Sequence, residues 1–213
     1  MRSYSRNSFW RGGLKKMFNL LKSSISRVFK YSGAEEYSRR YAVMNAFDGV
    51  VTVLGIVLGS TLLGEANARS IVAAGIGALI AMGISGVSGT YMAEKAEQER
   101  RIREIEDAML IKLDKSVIAE ARGKAAILSA LVDALSAVVA GLIALTPYLA
   151  SLLGLVTAEH AFILSLAFSL SLLFSLGLFL GKIARKNILW SGLKSLAIGC
   201  ITILLITLLN LIL

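Results

Sequence analysis

The sequence predicts an all-α integral membrane bundle of five transmembrane helices, on three observations. Hydrophobic residues make up 56% of the 213-residue chain and charged residues only 17%, with a mean hydropathy of +0.71. That balance belongs to membrane proteins rather than to soluble domains. Apolar runs long enough to cross a bilayer recur five times, and no strand-like alternation competes with them. The basic residues are segregated into alternate connections, as the positive-inside rule requires of an odd number of spans.

Residues 1–40 precede the first span and carry ten of the 23 basic residues against Glu35 and Glu36, a net charge of +8. Trp10, Leu14, Met17, Phe18, Leu21, Ile25, Val28 and Phe29 recur at helical spacing, while Arg11, Lys15, Lys16, Lys22 and Arg27 fall mainly elsewhere. A basic amphipathic arm lying on an anionic leaflet is the expectation. The tryptophan and the long apolar face favour lipid over nucleic acid as its partner. No compact apolar core with a small-residue cleavage site is visible, so the first span is expected to direct insertion.

The spans are Tyr41–Leu63, Ser70–Met92, Ala126–Leu152, Ala161–Leu180 and Leu189–Leu213. The chain thus divides into the arm (1–40), helices 1–2 (41–92), a charged connection (93–124) and helices 3–5 (125–213). Eight basic residues lie in 93–124 and four in 182–194, whereas Gly64–Arg69 has only Arg69 and the third-to-fourth connection none. The N-terminus and both basic connections are therefore expected in the cytoplasm and the C-terminus outside. An integral, multi-pass protein of the cell membrane is the corresponding location.

Asp48 is the only ionisable side chain of the first span after Tyr41. A carboxylate there costs several kcal/mol unless paired, hydrated or protonated, which makes it a functional candidate. It lies seven residues, about 10 Å, from the cytoplasmic end of its helix. Asp133 lies seven residues into the third span, so the two carboxylates share a layer. Ser85 and Ser88, leaving through the second span, reach a similar level. Asn45, Asp48 and Thr52 share one helix face. An oxygen-rich cation or proton site is the functional expectation. Plain neutralisation by protonation or a cross-helix hydrogen bond is the competing one, and for Asp133 the two stand level.

Gly55 and Gly59 form a small-xxx-small pair, and Gly83, Gly86 and Gly89 recur every third residue, which predicts close helix packing or a dimer seam. Pro147 marks the outer boundary of the third span or a kink. His160 is expected at the outer boundary, and Lys194 is expected to snorkel to the cytoplasm. Cys200 excludes an intramolecular disulfide and is expected to be a small core residue.

The connection 93–124 holds eight acidic and eight basic residues without proline and is expected to be helical throughout, with Ile102, Ile105, Met109, Leu113 and Val117 as its packing stripe. Glu94, Glu97, Glu104 and Asp107 present either a metal-collecting face or solvated ion pairs. The i,i+4 pairs Glu97–Arg101, Glu99–Arg103, Arg100–Glu104 and Arg103–Asp107 favour the latter.

The run NAFDGVVTVLGIVLG resembles the first-helix signature of the vacuolar iron transporter family. SGVSGTYMAEKAEQER (85–100), the TPY ending of the third span and GKIARKN between the last two spans are similar to its further elements. The resemblance covers residues 35 to about 213. It implies five helices with an internal N-terminus, paired first helices in a homodimer, and export of Fe²⁺ or Mn²⁺ from the cytoplasm in exchange for protons. These ions are cargo, no other cofactor is expected, and the chain is not expected to be an enzyme. Asp48 matches the family's metal-handling aspartate. Thr90 stands where the family carries the glutamate of a Gly-Glu-Tyr element, and Gly86 where a methionine is usual. Glu94, Glu97, Glu104 and Asp107 correspond loosely to the family's cytoplasmic ligands. A non-transporting scaffold or regulator that keeps the fold is the alternative these departures suggest. An intramembrane aspartyl protease ranks third, because neither aspartate stands in a Gly-x-Gly-Asp setting.

Overall fold

The computed structural model describes residues 34–62, 64, 67–112 and 116–212. The amphipathic arm lies outside these residues, apart from its last seven positions. Five α-helices account for nearly all of them: α1 (Ala34–Leu62), α2 (Ala68–Met109), α3 (Val117–Leu152), α4 (Ala158–Ile183) and α5 (Ile188–Ile212). Each is long and apolar enough to cross a membrane, and there is no strand among the described residues. The expected fold class is therefore present.

Helix starts follow local chemistry. Asn67, Ser116 and Thr157 are N-caps whose side chains accept backbone N–H groups of Arg69, Ala119 and His160, satisfying donors that the first turn leaves unpaired. Pro147 lies inside α3, which continues to Leu152.

The connection 93–124 departs from the uninterrupted helix expected of it. α2 runs out of the apolar region as far as Met109, Leu110 adopts a left-handed conformation (φ 55°), and a new helix starts after Ser116. The connection is a helical hairpin, with its first half continuing α2 and its second half opening α3. A left-handed residue at a helix end reverses the chain and stops the hydrogen-bond ladder. Glu97–Arg101 (2.9 Å), Arg100–Glu104 (3.8 Å) and Glu99–Arg103 (4.0 Å) pair as the sequence suggested.

α3 is the hub, packing on α1, α2 and α4, while α5 packs on α4 and α1. Small residues make this possible. Ala121, Ala125, Ala130, Ala134, Ala137, Ala140 and Ala144 are all buried along α3. A Cβ on Gly49 would collide with the Ala137 carbonyl, and Gly141 is pressed against Leu79 and the Gly49 carbonyl. Backbones that approach so closely gain dispersion contacts that replace lipid contacts, the main source of helix association in a bilayer. The core proper gathers Val53, Val57, Ile71, Leu79, Leu145 and Tyr148.

Gly177 and Gly181 of α4 meet Ser195 and Ser191 of α5, and Gly199 meets Leu173 and Leu170. Because Gly199 faces α4, the next residue is rotated outward by about 100°. Cys200 is accordingly exposed and not the core residue expected. Asn210 closes the far end by donating to the Leu62 carbonyl (3.3 Å).

Candidate metal site and its polar layers

Asn45 on α1, Thr90 on α2 and Asp133 on α3 meet inside the bundle. Asp133 is only 3% exposed. Its Oδ2 accepts from the Thr90 hydroxyl at 2.7 Å, and its Oδ1 accepts from the Asn45 side-chain amide. The same Asn45 nitrogen donates to the Tyr41 carbonyl (3.2 Å). Both amide hydrogens are thereby engaged, which leaves the Asn45 oxygen as an unused acceptor. No ion pair among the described residues involves Asp133; its carboxylate is held by neutral donors from two other helices.

Gly86 completes the pocket around Asp133. A Cβ at that position would lie 3.0 Å from Asp133 Oδ2 and 3.3 Å from the Ala134 Cα. The two positions that depart from the family motif, Gly86 and Thr90, thus both contact the buried carboxylate of α3. Gly86 gives it space and Thr90 gives it a hydrogen bond. This relation was invisible in the sequence, where residues 86, 90 and 133 carry no mark of contact.

Asp48 lies one turn from Asn45 on α1 but is exposed. It shares the open side of α1 with partly exposed Thr52 and Gly59; Met44, 54% exposed, lines a groove against α4, and Gly55 faces Ile206 of α5. Within the protomer, Asp48 is exposed on α1 and Asp133 is buried inside the bundle. No hydrogen bond among the described residues reaches Asp48.

A second layer lies one helical turn toward the basic end. Tyr41 donates to Glu94 Oε1 at 2.8 Å, Gln98 donates to Glu94 Oε2 at 3.4 Å, and Arg122 donates to Gln98 Oε1 at 3.1 Å. Ser38 and Ser129 approach to 3.4 Å beside it. Tyr41 and Asn45, Glu94 and Thr90, and Ser129 and Asp133 are i,i+4 neighbours, so the two layers stack along one three-helix interface. Glu94 is 5% exposed and Gln98 2%. Two hydrogen bonds to each buried group offset part of the desolvation cost.

The remaining sequence candidates sit elsewhere. Ser85 and Ser88 are exposed, and Ser88 turns its hydroxyl back on the Ile84 carbonyl (2.8 Å). Glu97 is bound to Arg100 (3.0 Å) and Arg101, while Glu104 and Asp107 are exposed on the hairpin. Glu94 faces the bundle and these three do not, so the four do not form one cluster. No group of three or more His, Cys, Asp or Glu residues able to hold a metal occurs among the described residues. A complete coordination shell within one protomer would have to recruit neutral oxygens.

Comparisons with known proteins match the whole helical region. The model of the VIT family matches residues 39–109 and 103–209. An uncharacterized protein of Methanocaldococcus jannaschii is 32% identical over 180 residues, spanning 83% of this chain and 88% of the archaeal one.

Proposed function

The chain belongs to the VIT family, whose members are membrane metal-ion transporters, and on that premise we propose that it is a homodimeric, proton-coupled transporter carrying Fe²⁺ or Mn²⁺ out of the cytoplasm. The observation that carries this reading is the exposure of Asp48 on the open side of α1 at membrane depth. Facing lipid, that carboxylate would cost at least a few kcal/mol. A second copy packed on the same face removes the cost by bringing two Asp48 carboxylates around one aqueous path.

Gly59 lies on the side of α1 that would form such a seam, with nothing within 4 Å of where a Cβ would be. Asp48 binds the ion and exchanges it for protons in this reading. Thr52 and the free oxygen of Asn45 add neutral donors, and Asp133 holds Asn45 in the orientation that offers this oxygen. Carboxylate, amide and hydroxyl oxygens suit hard or borderline divalent ions. Glu94 with Tyr41 closes the layer between this site and the basic end of the bundle. By the positive-inside rule that basic end is cytoplasmic, and the host is the cell membrane.

Metal flux in proteoliposomes under an imposed pH gradient tests the reading. Flux that needs the gradient and disappears in Asp48→Asn is the expected result; unchanged flux in that variant sinks the role given to Asp48.

The internally satisfied Asn45–Thr90–Asp133 cluster favours a second reading, in which the polar layer is structural glue and the protein is a non-transporting scaffold or regulator. Purified protein that binds no divalent ion would support it.

A further inference from the structure

A groove of about 280 Å³ opens on the bundle surface where the start of α1 meets the end of α4. Its walls are apolar: Val43 and Met44 from α1, Leu180 and Ile183 from α4. Its rim is charged, with Arg39 and Arg40 exposed on α1 beside Glu36. Arg40 lies over the Tyr41 ring, 5.4 Å from its centroid.

The depth of the groove is set by the helices that form it. The apolar window of α1 begins at Ser38, and α4 ends at Ile183. The groove therefore lies at the basic end of both spans, with its rim arginines in the first turn of the α1 window and Val43 and Met44 deeper. Lys182, Arg185 and Lys186 are exposed at the adjoining end of α4 and its turn. Arg39 and Arg40 thus line the groove beside Glu36, with three further basic groups exposed on the adjoining turn.

We propose that this groove binds the headgroup and upper acyl chain of an anionic phospholipid of the cytoplasmic leaflet. Arg39 holds the phosphate, since a guanidinium presents paired N–H donors to phosphate oxygens. The acyl chain lies along Met44, Leu180 and Ile183. The charge excess selects an anionic over a zwitterionic headgroup. The groove between α2 and α3 lined by Gly83, Ile84, Val87, Leu135 and Val138 has no charged residue and carries no such selectivity. The inference does not depend on what the protein transports.

The test uses the full chain in nanodiscs of phosphatidylcholine with or without phosphatidylglycerol. Lipid retained on the protein is read by native mass spectrometry, and thermal unfolding is followed in parallel. Retained phosphatidylglycerol and a higher Tm in its presence are expected. Arg39→Gln with Arg40→Gln should lower retention about twenty-five-fold, since each basic group near an anionic surface contributes about a factor of five. An Arg103→Gln, Lys112→Gln control should retain the lipid. Met44→Trp keeps the charge but fills the groove, and it should also lose the lipid. Equal retention of both lipids, equal loss in the control, or full retention in Met44→Trp overturns the proposal. So does protection of the groove by residues 1–33, seen as lipid binding only after their removal.

Discussion

Thr90 on α2 donates its hydroxyl to Asp133 on α3 at 2.7 Å, so a buried carboxylate arriving from one helix is held by a neutral donor of another. Asp133 reaches α2 from the neighbouring helix, and Gly86 leaves room for it.

Thr90→Val keeps the shape and removes the donor. One oxygen of a buried carboxylate then loses its partner, at a cost of about 1–3 kcal/mol. Thermal unfolding in detergent should show a lowered Tm, whereas Thr90→Ser should stay close to the parent. A Val variant as stable as the parent would mean that water replaces the hydroxyl.

Asp48→Asn and Asp133→Asn should separate function from folding. Asp48 is exposed and makes no hydrogen bond among the described residues, so its loss should abolish metal flux while Tm changes little. Asp133 accepts from two helices, and an amide has a single acceptor oxygen, so it cannot receive both the Asn45 N–H and the Thr90 hydroxyl. Asp133→Asn should lower Tm and raise the KM for metal together. Equal effects of the two variants on stability would remove the distinction between them.

Gly49→Ala should be among the most damaging small changes in the membrane. The added methyl group would collide with the Ala137 backbone carbonyl, which cannot move without shifting α3. Overpacking of this kind costs about 1–3 kcal/mol. Gly59→Ala meets nothing within 4 Å in the protomer and should leave monomer folding intact. If α1 pairs across a dimer seam, that second variant weakens dimerisation, measurable by subunit mixing between labelled copies.

Thr52→Cys in a Cys200→Ser background places a thiol on the open side of α1. A homodimer paired through α1 should yield a disulfide-linked dimer on mild oxidation, visible on a non-reducing gel. Cys200, exposed on α5, should not give that product in the parent chain. Cross-linking from Cys200 and none from Thr52→Cys would relocate the seam.

Tyr41→Phe removes the donor to Glu94 Oε1 (2.8 Å) and leaves a buried carboxylate with Gln98 as its remaining partner. A destabilisation of about 1–3 kcal/mol is expected, with a faster approach of water-soluble probes to the Asp133 layer if Glu94 and Tyr41 close it. A Tyr41→Phe protein of parental stability would show that the contact is dispensable.

The sequence determined the fold class. Five apolar spans could be read because bilayer thickness fixes how long an apolar run must be, and the family from the first-helix motif. The layer read for Asp48 and Asp133 rests on the constant rise per residue; the structure pairs Asp133 with Asn45, one turn nearer the basic end. What sequence could not supply was rotation about each helix axis. In a soluble protein the polar face of a helix points to water, but here the helices are apolar nearly all round and lipid rewards no particular face. Rotation is set by which small residues let backbones approach, and only the packing of Gly49 on Ala137 and of Gly86 on Ala134 decides it. That packing turned Asp133 inward to Thr90 and Asn45, left Asp48 on the free side of α1, and sent Cys200 outward. It also buried Glu94 while leaving Glu104 and Asp107 in solvent, although all lie on one helix.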